Sequence, residues 1–403
     1  MKIRITRMAT PVILGLAFGL FFVQACSTVE QTEAPDEDLN TYEQLDAELN
    51  RLNDQIADNP GSEELYIKKS NLLFEIAKTL SPSGRQPVYQ NLKDHSDSAL
   101  SHSEMNQETI KEILVNAWSH EQSKGVQLLQ QGRTADIVAH FNNAITLIPD
   151  SLVTYNLKAT TLYEKGNLNE AIKTLEKAGR ISGETQTELE EKLAYLYLES
   201  GDVERSIEMY QNLVEANPDD HHLKHGLVNA YIIDNQHENA ISILTDLTDQ
   251  FPSRHAYQEA LATQVYFLFD KKSDDLLQHD DLDVEFTNEV EQIHQMANQV
   301  HSIFDELQAT MPINEENTYR IAGFYKEAYL KLSQIIKKIE LEDELAEIIS
   351  DQKEQYLDLS LPLWERLAEL NPDNMDYLNH LRQVYLYLDM EEDAQSLERT
   401  LSF

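Results

Sequence analysis

Small side chains recur along the middle of the chain at Gly125, Ala159, Ala194, Val228 and Ala262, at spacings of 34, 35, 34 and 34. Three residues beyond each stands a larger apolar one: Leu128, Leu162, Tyr197, Tyr231 and Val265. A second small set, Ala171, Ser206 and Ala240, comes later in each period, and Pro149, Pro218 and Pro252 close the periods, with Gly183 in the place of one proline. Two antiparallel helices approach closely only where one side chain in each is small, a bulky neighbour fills the adjoining hole, and a helix breaker ends the pair. The pattern therefore predicts an array of stacked helix pairs, and no stretch alternates as a strand would.

Beyond residue 270 the period fails. Pro252 and Pro372 lie 120 residues apart, which is no multiple of 34, so an insertion stands between them. It begins with KKSDDLLQHDDLD, which reads as a charged loop. Then Phe286, Val290, Ile293, Ala297, Val300, Phe304 and Leu307 alternate spacings of 4 and 3, the seam of one helix packed along another. Ile321, Tyr325, Ala328, Leu332, Ile335 and Ile339 repeat that seam beyond Pro312. The two long helices are expected to pack on each other, self-association through residues 284–340 being the alternative use of the seam. A third helix, from about Glu344 to Leu370, holds Pro362, which should kink or split it.

The middle block resembles the tetratricopeptide repeat, whose period is 34 and whose marks include these small, aromatic, alanine and proline positions. The resemblance covers Trp118 to Ser151, Leu152 to Gln186, Thr187 to Asp220, His221 to Arg254 and the first helix of a fifth unit. Phe141-Asn142-Asn143-Ala144 and Asn217-Pro218-Asp219 look like family phrases. Weaker matches flank the block at Asn59-Pro60-Gly61 and at Asn371-Pro372-Asp373 with Leu378, Tyr385 and Ala394. The resemblance implies an all-α, right-handed solenoid of antiparallel helix pairs with an inserted set of longer helices. Its organisation reads as N-terminal helices with a degenerate repeat (41–117), the array (118–270), the insertion (271–370) and capping helices (371–403).

In such a solenoid the first helices of successive pairs line the concave, partner-binding face. Carried over by register, that groove is Asn156, Thr160, Tyr163 and Glu164, then Glu188, Glu191, Tyr195 and Glu199, then His222, His225 and Asn229. Family members that clamp a peptide's terminal carboxylate place Lys, Asn and Arg at such positions. Here only Asn229 matches, while Glu188 and Glu191 repel a carboxylate, so a basic or neutral polypeptide is the expected ligand.

Charge sharpens that reading. The 403 residues carry 71 Asp and Glu against 32 Lys and Arg, a formal net charge of −39. Phosphate neutralisation needs a basic footprint, so no nucleic-acid partner is expected. The acidity has two readings, partner selection and solubility in a saline habitat. Hydrophobic residues make up 41%, enough for a core, and 12 Gly and 11 Pro are too few for a turn-rich β fold.

The first 25 residues read as an address. Lys2, Arg4 and Arg7 precede an apolar run from Val12 to Val23, too short to span a bilayer. The single cysteine follows in Val23-Gln24-Ala25-Cys26. This resembles the lipobox of bacterial lipoproteins, which implies cleavage before Cys26 and acylation of its sulfur and new amino group. Ser27 stands where an Asp would favour inner-membrane retention, so the resemblance implies an outer-membrane lipoprotein, periplasm-facing or surface-exposed. Residues 26–40, acidic and poor in large apolar groups, read as a flexible tether.

No glycine-rich phosphate loop, Gly-x-Ser-x-Gly elbow or local Ser, His, acid set appears, so no catalytic residue is assigned. In His221-His222-Leu223-Lys224-His225 positions 221 and 225 share a helix face, but metal geometry wants a third or fourth ligand and a fixed outer shell, and the aspartates from Asp274 to Asp283 lack the glycine of a calcium loop. Neither metal nor cofactor is expected. The reading is a lipid-anchored, non-catalytic adaptor. The alternatives are a surface ligand-capture lipoprotein and, behind it, a cell-wall enzyme.

Overall fold

The computed structural model describes residues 37–101, 107–132, 136–182, 187–279, 286–310, 314–338 and 343–401. Among them are 17 α-helices, a 3-10 turn at Pro82–Gly84 and no strand. The fold is all-α, a solenoid of helix pairs, as the sequence predicts. It divides between Asn217 and Pro218 into two compact units.

The N-terminal unit holds α1 (Glu37–Asp58), α2 (Glu63–Thr79), α3 (Gln86–Leu100), α4 (Gln107–Gln130), α5 (Ile137–Leu147), α6 (Leu152–Glu164), α7 (Leu168–Ser182), α8 (Thr187–Ser200) and α9 (Val203–Ala216). α4 packs with α5, α6 with α7 and α8 with α9. The recurring small residues sit where these backbones close: a Cβ added to Gly125 would lie 2.7 Å from the Phe141 ring, and Ala171, Ala194 and Ser206 are fully covered. A second register runs through the same helices. Residues with left-handed backbone, Gly132 (φ 66°), Gly166 (φ 76°), Gly201 (φ 82°) and Asn235 (φ 58°), recur at 34, 35 and 34 and turn the chain between the helices of each pair. After Gly166 the Asn167 N–H donates to Leu162 O at 2.8 Å, and after Gly201 the Asp202 N–H donates to Tyr197 O at 2.9 Å.

The C-terminal unit holds α10 (His221–Ile233), α11 (His237–Gln250), α12 (His255–Gln278), α13 (Thr287–Thr310), α14 (Glu315–Lys338), α15 (Asp343–Leu370), α16 (Met375–Tyr387) and α17 (Glu391–Leu401). Here the second register explains where the period breaks. The next turn position is Phe269, a buried residue with no left-handed preference, so α12 runs on to Gln278 and the repeat is lost.

Several expectations need correction. The boundary between 117 and 118 falls inside α4, because Trp118 marks a register and not a helix start. The start of the expected charged loop, KKSDDLLQ, is helix, held because Ser273 and Leu276 are buried and Lys331 of α14 pairs with Asp270 at 3.1 Å and with Asp274. Val290, Ile293, Ala297, Val300, Phe304 and Leu307 are buried, as are Ile321, Tyr325, Ala328, Leu332 and Ile335, but α13 lies chiefly along α12 and α14 along α15. The described positions of both seams are thus buried within the chain, against α12 and α15 and not chiefly against each other. α15 is one helix through Pro362, not two. Residues 37–40 of the expected tether belong to α1. The export segment, Cys26, Gly183, Ile339 and Asp280, Asp281 and Asp283 lie outside the described residues.

One carboxylate is buried without any mark in the residue pattern. Glu121 of α4, with no exposed side chain, accepts from Arg85 Nη1 at 2.8 Å and Tyr89 Oη at 2.7 Å on one oxygen. Its other oxygen meets His140 Nδ1 at 2.7 Å and Asn143 Nδ2 at 3.2 Å. Burial alone would raise its pKa, but the hydrogen bonds from His140, Tyr89 and Arg85 outweigh it and hold the group at about 2. The charge ties α3, α4 and α5 together.

Candidate functional site

The predicted groove residues of the N-terminal unit fall on α6 and α8, the first helices of neighbouring pairs. Asn156, Thr160, Tyr163 and Glu164 follow one another at i, i+4, i+7 and i+8, which places them on one face. Ala159, on the neighbouring stripe, is only 2% exposed. Between the two helices lies a recess of about 360 Å³ whose lining includes Asn156, Tyr163, Glu164 and Tyr195. Its floor is apolar, built from Leu157 of α6, Leu175 of α7 and Leu196 of α8.

The polar groups are held by one another. The Tyr163 and Tyr195 hydroxyls are 3.0 Å apart and their rings meet edge to face at 6.0 Å. Burial, the bond to Tyr163 and the charge of Glu199 all raise the Tyr195 pKa, so that hydroxyl keeps its proton. Lys192 donates to Asn156 Oδ1 at 2.9 Å and to Glu188 Oε1 at 2.8 Å, while Asn156 Nδ2 donates to the same carboxylate at 3.2 Å. The Lys192 bond and charge hold Glu188 below the usual carboxylate range. Lys192 is thereby neutralised, and Glu164 and Glu199 remain as exposed carboxylates near the phenols. The recess offers an apolar cup, a phenol pair and an acidic rim.

Not every predicted groove residue joins it. Glu191 turns toward α9, where its charge helps raise the Tyr210 pKa, burial being the larger cause. His222, His225 and Asn229 lie on α10, in the other unit. Asn229 is 4% exposed and belongs to the core there, His225 packs edge-on against Tyr257 at 6.0 Å, and His222 lies 4.1 Å from the His221 ring. Asp220 caps this helix, accepting from the His222 N–H at 2.9 Å. Sequence reasoning missed Lys192, Leu157 and Leu196. Lys192 had a signal, standing four residues after Glu188 on the same helix. Among the described residues no three His, Cys, Asp or Glu side chains gather as metal ligands, and no helix is long and apolar enough to cross a membrane.

Stacked helix pairs with a recess between first helices define a helical-repeat protein. Residues 152–184 and 197–263 each match a family model of the tetratricopeptide repeat, so the chain carries such repeats there. No curated protein sequence matches the chain. Among solved structures it is similar to a tetratricopeptide repeat protein from Parabacteroides merdae, at 14% identity over 66% of this chain and 98% of that one, with a TM-score of 0.41. It is also similar to PilF of Pseudomonas aeruginosa, at 12% identity over 66% and 97% of the two chains with a TM-score of 0.38. A third is YrrB, a repeat protein with an unusual peptide-binding site, at 15% identity over 45% and 84% with a TM-score of 0.34.

Proposed function

We propose that this chain is a lipid-anchored, non-catalytic scaffold of a bacterial envelope, held at the outer membrane through Cys26, that binds a basic or neutral polypeptide segment in the recess between α6 and α8. One observation supports the binding reading above the rest: an apolar cup of about 360 Å³ whose single lysine is already paired, while Glu164 and Glu199 stand exposed at its edge. A cup of that size takes a large apolar side chain, and the rim attracts Lys or Arg beside it. The anchor reading is supported by the segment ending in Val23-Gln24-Ala25-Cys26. Three acyl chains hold far more firmly than one, at about 0.8 kcal/mol per buried methylene.

Two experiments test this in cells. Radiolabelled palmitate should enter the wild-type chain and not Cys26→Ser; equal labelling removes the anchor. A photo-crosslinking side chain at Tyr163 or Tyr195 should capture a discrete polypeptide, whereas the same probe at exposed Lys173 should not; indistinguishable adducts from all three sites would remove the recess.

A further inference from the structure

The same unit carries a second recess of opposite character on the other side of α6. Tyr155 and Asn156 are neighbours in that helix; Asn156 lines the phenol cup, while the ring of Tyr155, 1% exposed, forms the floor of an open cleft of about 650 Å³. Leu114 of α4 and Leu147 at the end of α5 complete that floor, and Val115, 47% exposed, stands at its edge. Three lysines from three helices surround it: Lys93 of α3, Lys111 of α4 and Lys177 of α7.

In a chain with 71 acids and 32 bases this is an inversion, since Asp150 is the one carboxylate lining the cleft. Lys93 is bound to Asp97 at 2.5 Å. Lys111 and Lys177 are exposed and have no carboxylate partner among the described residues, Lys177 lying 5.6 Å over the Tyr155 ring. Lys158 of α6 stands near enough to Lys177 for their like charges to lower its pKa, burial being the larger cause. Two exposed ammonium groups beside an apolar floor offer an anion a charge partner and its apolar neighbours a surface to cover.

We infer that this cleft docks an acidic polypeptide segment carrying apolar side chains, so that one repeat unit holds a basic or neutral segment on one side of α6 and an acidic one on the other. The cations are spread over three helices around a long apolar floor, which suits an extended chain with alternating carboxylates and apolar groups. An anionic bilayer is disfavoured, because it would have to accept a body of net charge −39 to reach these lysines.

The test uses the full chain and fluorescence anisotropy with a labelled peptide of alternating Glu and Leu, its Lys–Leu counterpart and oligoglutamate. The Glu–Leu peptide should bind, lose affinity with added salt, and exceed oligoglutamate. Lys111→Glu with Lys177→Glu should weaken it roughly tenfold, and Lys111→Gln with Lys177→Gln by less. Tyr163→Ala with Tyr195→Ala should leave it unchanged, which separates this site from the cup. Circular dichroism checks that the exposed-lysine variants stay helical. No Glu–Leu binding, or binding indifferent to both lysine variants, overturns the inference. So does an association with anionic phospholipid vesicles, or with a second copy of the chain, that the lysine variants abolish while peptide binding persists.

Discussion

At Glu121 one buried charge is answered by four hydrogen-bonding side chains. Removing one partner of such a cluster leaves the others buried and uncompensated, at a cost of about 3–5 kcal/mol. Glu121→Gln should therefore destabilise the N-terminal unit by roughly that amount, read by urea unfolding through Trp118, whose Nε1 donates to Thr154 Oγ1 at 3.1 Å. Because the folded carboxyl titrates at about 2 and its ordinary value is 4.5, the stability it contributes is complete above about pH 4.5 and lost as the pH falls toward 2. His380 reports on the other unit. Burial, helped by the charge of Lys326, pushes its pKa down from 6.5 to about 4, and its ring stacks on Trp364 at 4.5 Å. The unfolded chain takes up a proton near 6.5 that the folded one refuses until about 4, so the C-terminal unit should lose stability across that window as pH falls. Trp364 fluorescence in a Trp118→Phe background measures it; a midpoint constant from pH 7 to 4 would contradict the burial of His380.

At the scale of elements, the helix pairs were readable from the notch and its neighbour. Ala159, Ala171, Ala194, Val228, Ala240 and Ala262 are all buried where the period puts them. The left-handed turn residues form a second periodic signal, and Phe269 at the next position is why the array stops where it does. Gly201→Ala should cost about 1–2 kcal/mol, because φ of 82° there brings a Cβ against its own carbonyl. Gly125→Ala should cost about 1–3 kcal/mol for another reason, the 2.7 Å approach to Phe141. Equal urea midpoints for wild type and both variants would deny the close packing. What periodicity could not give was which long helix packs with which. The seams of α13 and α14 fit any apolar partner, and the choice of α12 and α15 is made by tertiary packing. The groove was half legible for a similar reason: register fixes the face of a helix, but Glu191 and Asn229 stand at its edge, where neighbouring side chains decide between cup and core.

Across the whole molecule the charge of −39 acts on every step. Self-repulsion opposes the compact state and salt screens it, so both tryptophan signals should shift to higher urea midpoints between low and moderate ionic strength. Carboxylates this abundant also give any cation a weak, general attraction, and the recess between α6 and α8 must be told apart from it. Local chemistry differs from the bulk there because Leu157, Leu175 and Leu196 supply an apolar floor beneath the paired phenols. The Lys–Leu peptide, titrated against wild type and against Tyr163→Ala with Tyr195→Ala, isolates that contribution, since neither substitution alters net charge. A binding cup predicts at least a tenfold weaker peptide in the double variant, corresponding to about 1.4 kcal/mol, at unchanged helicity. Identical affinities in the two proteins would mean that the peptide sees only the acidic surface, and the proposed site would be wrong.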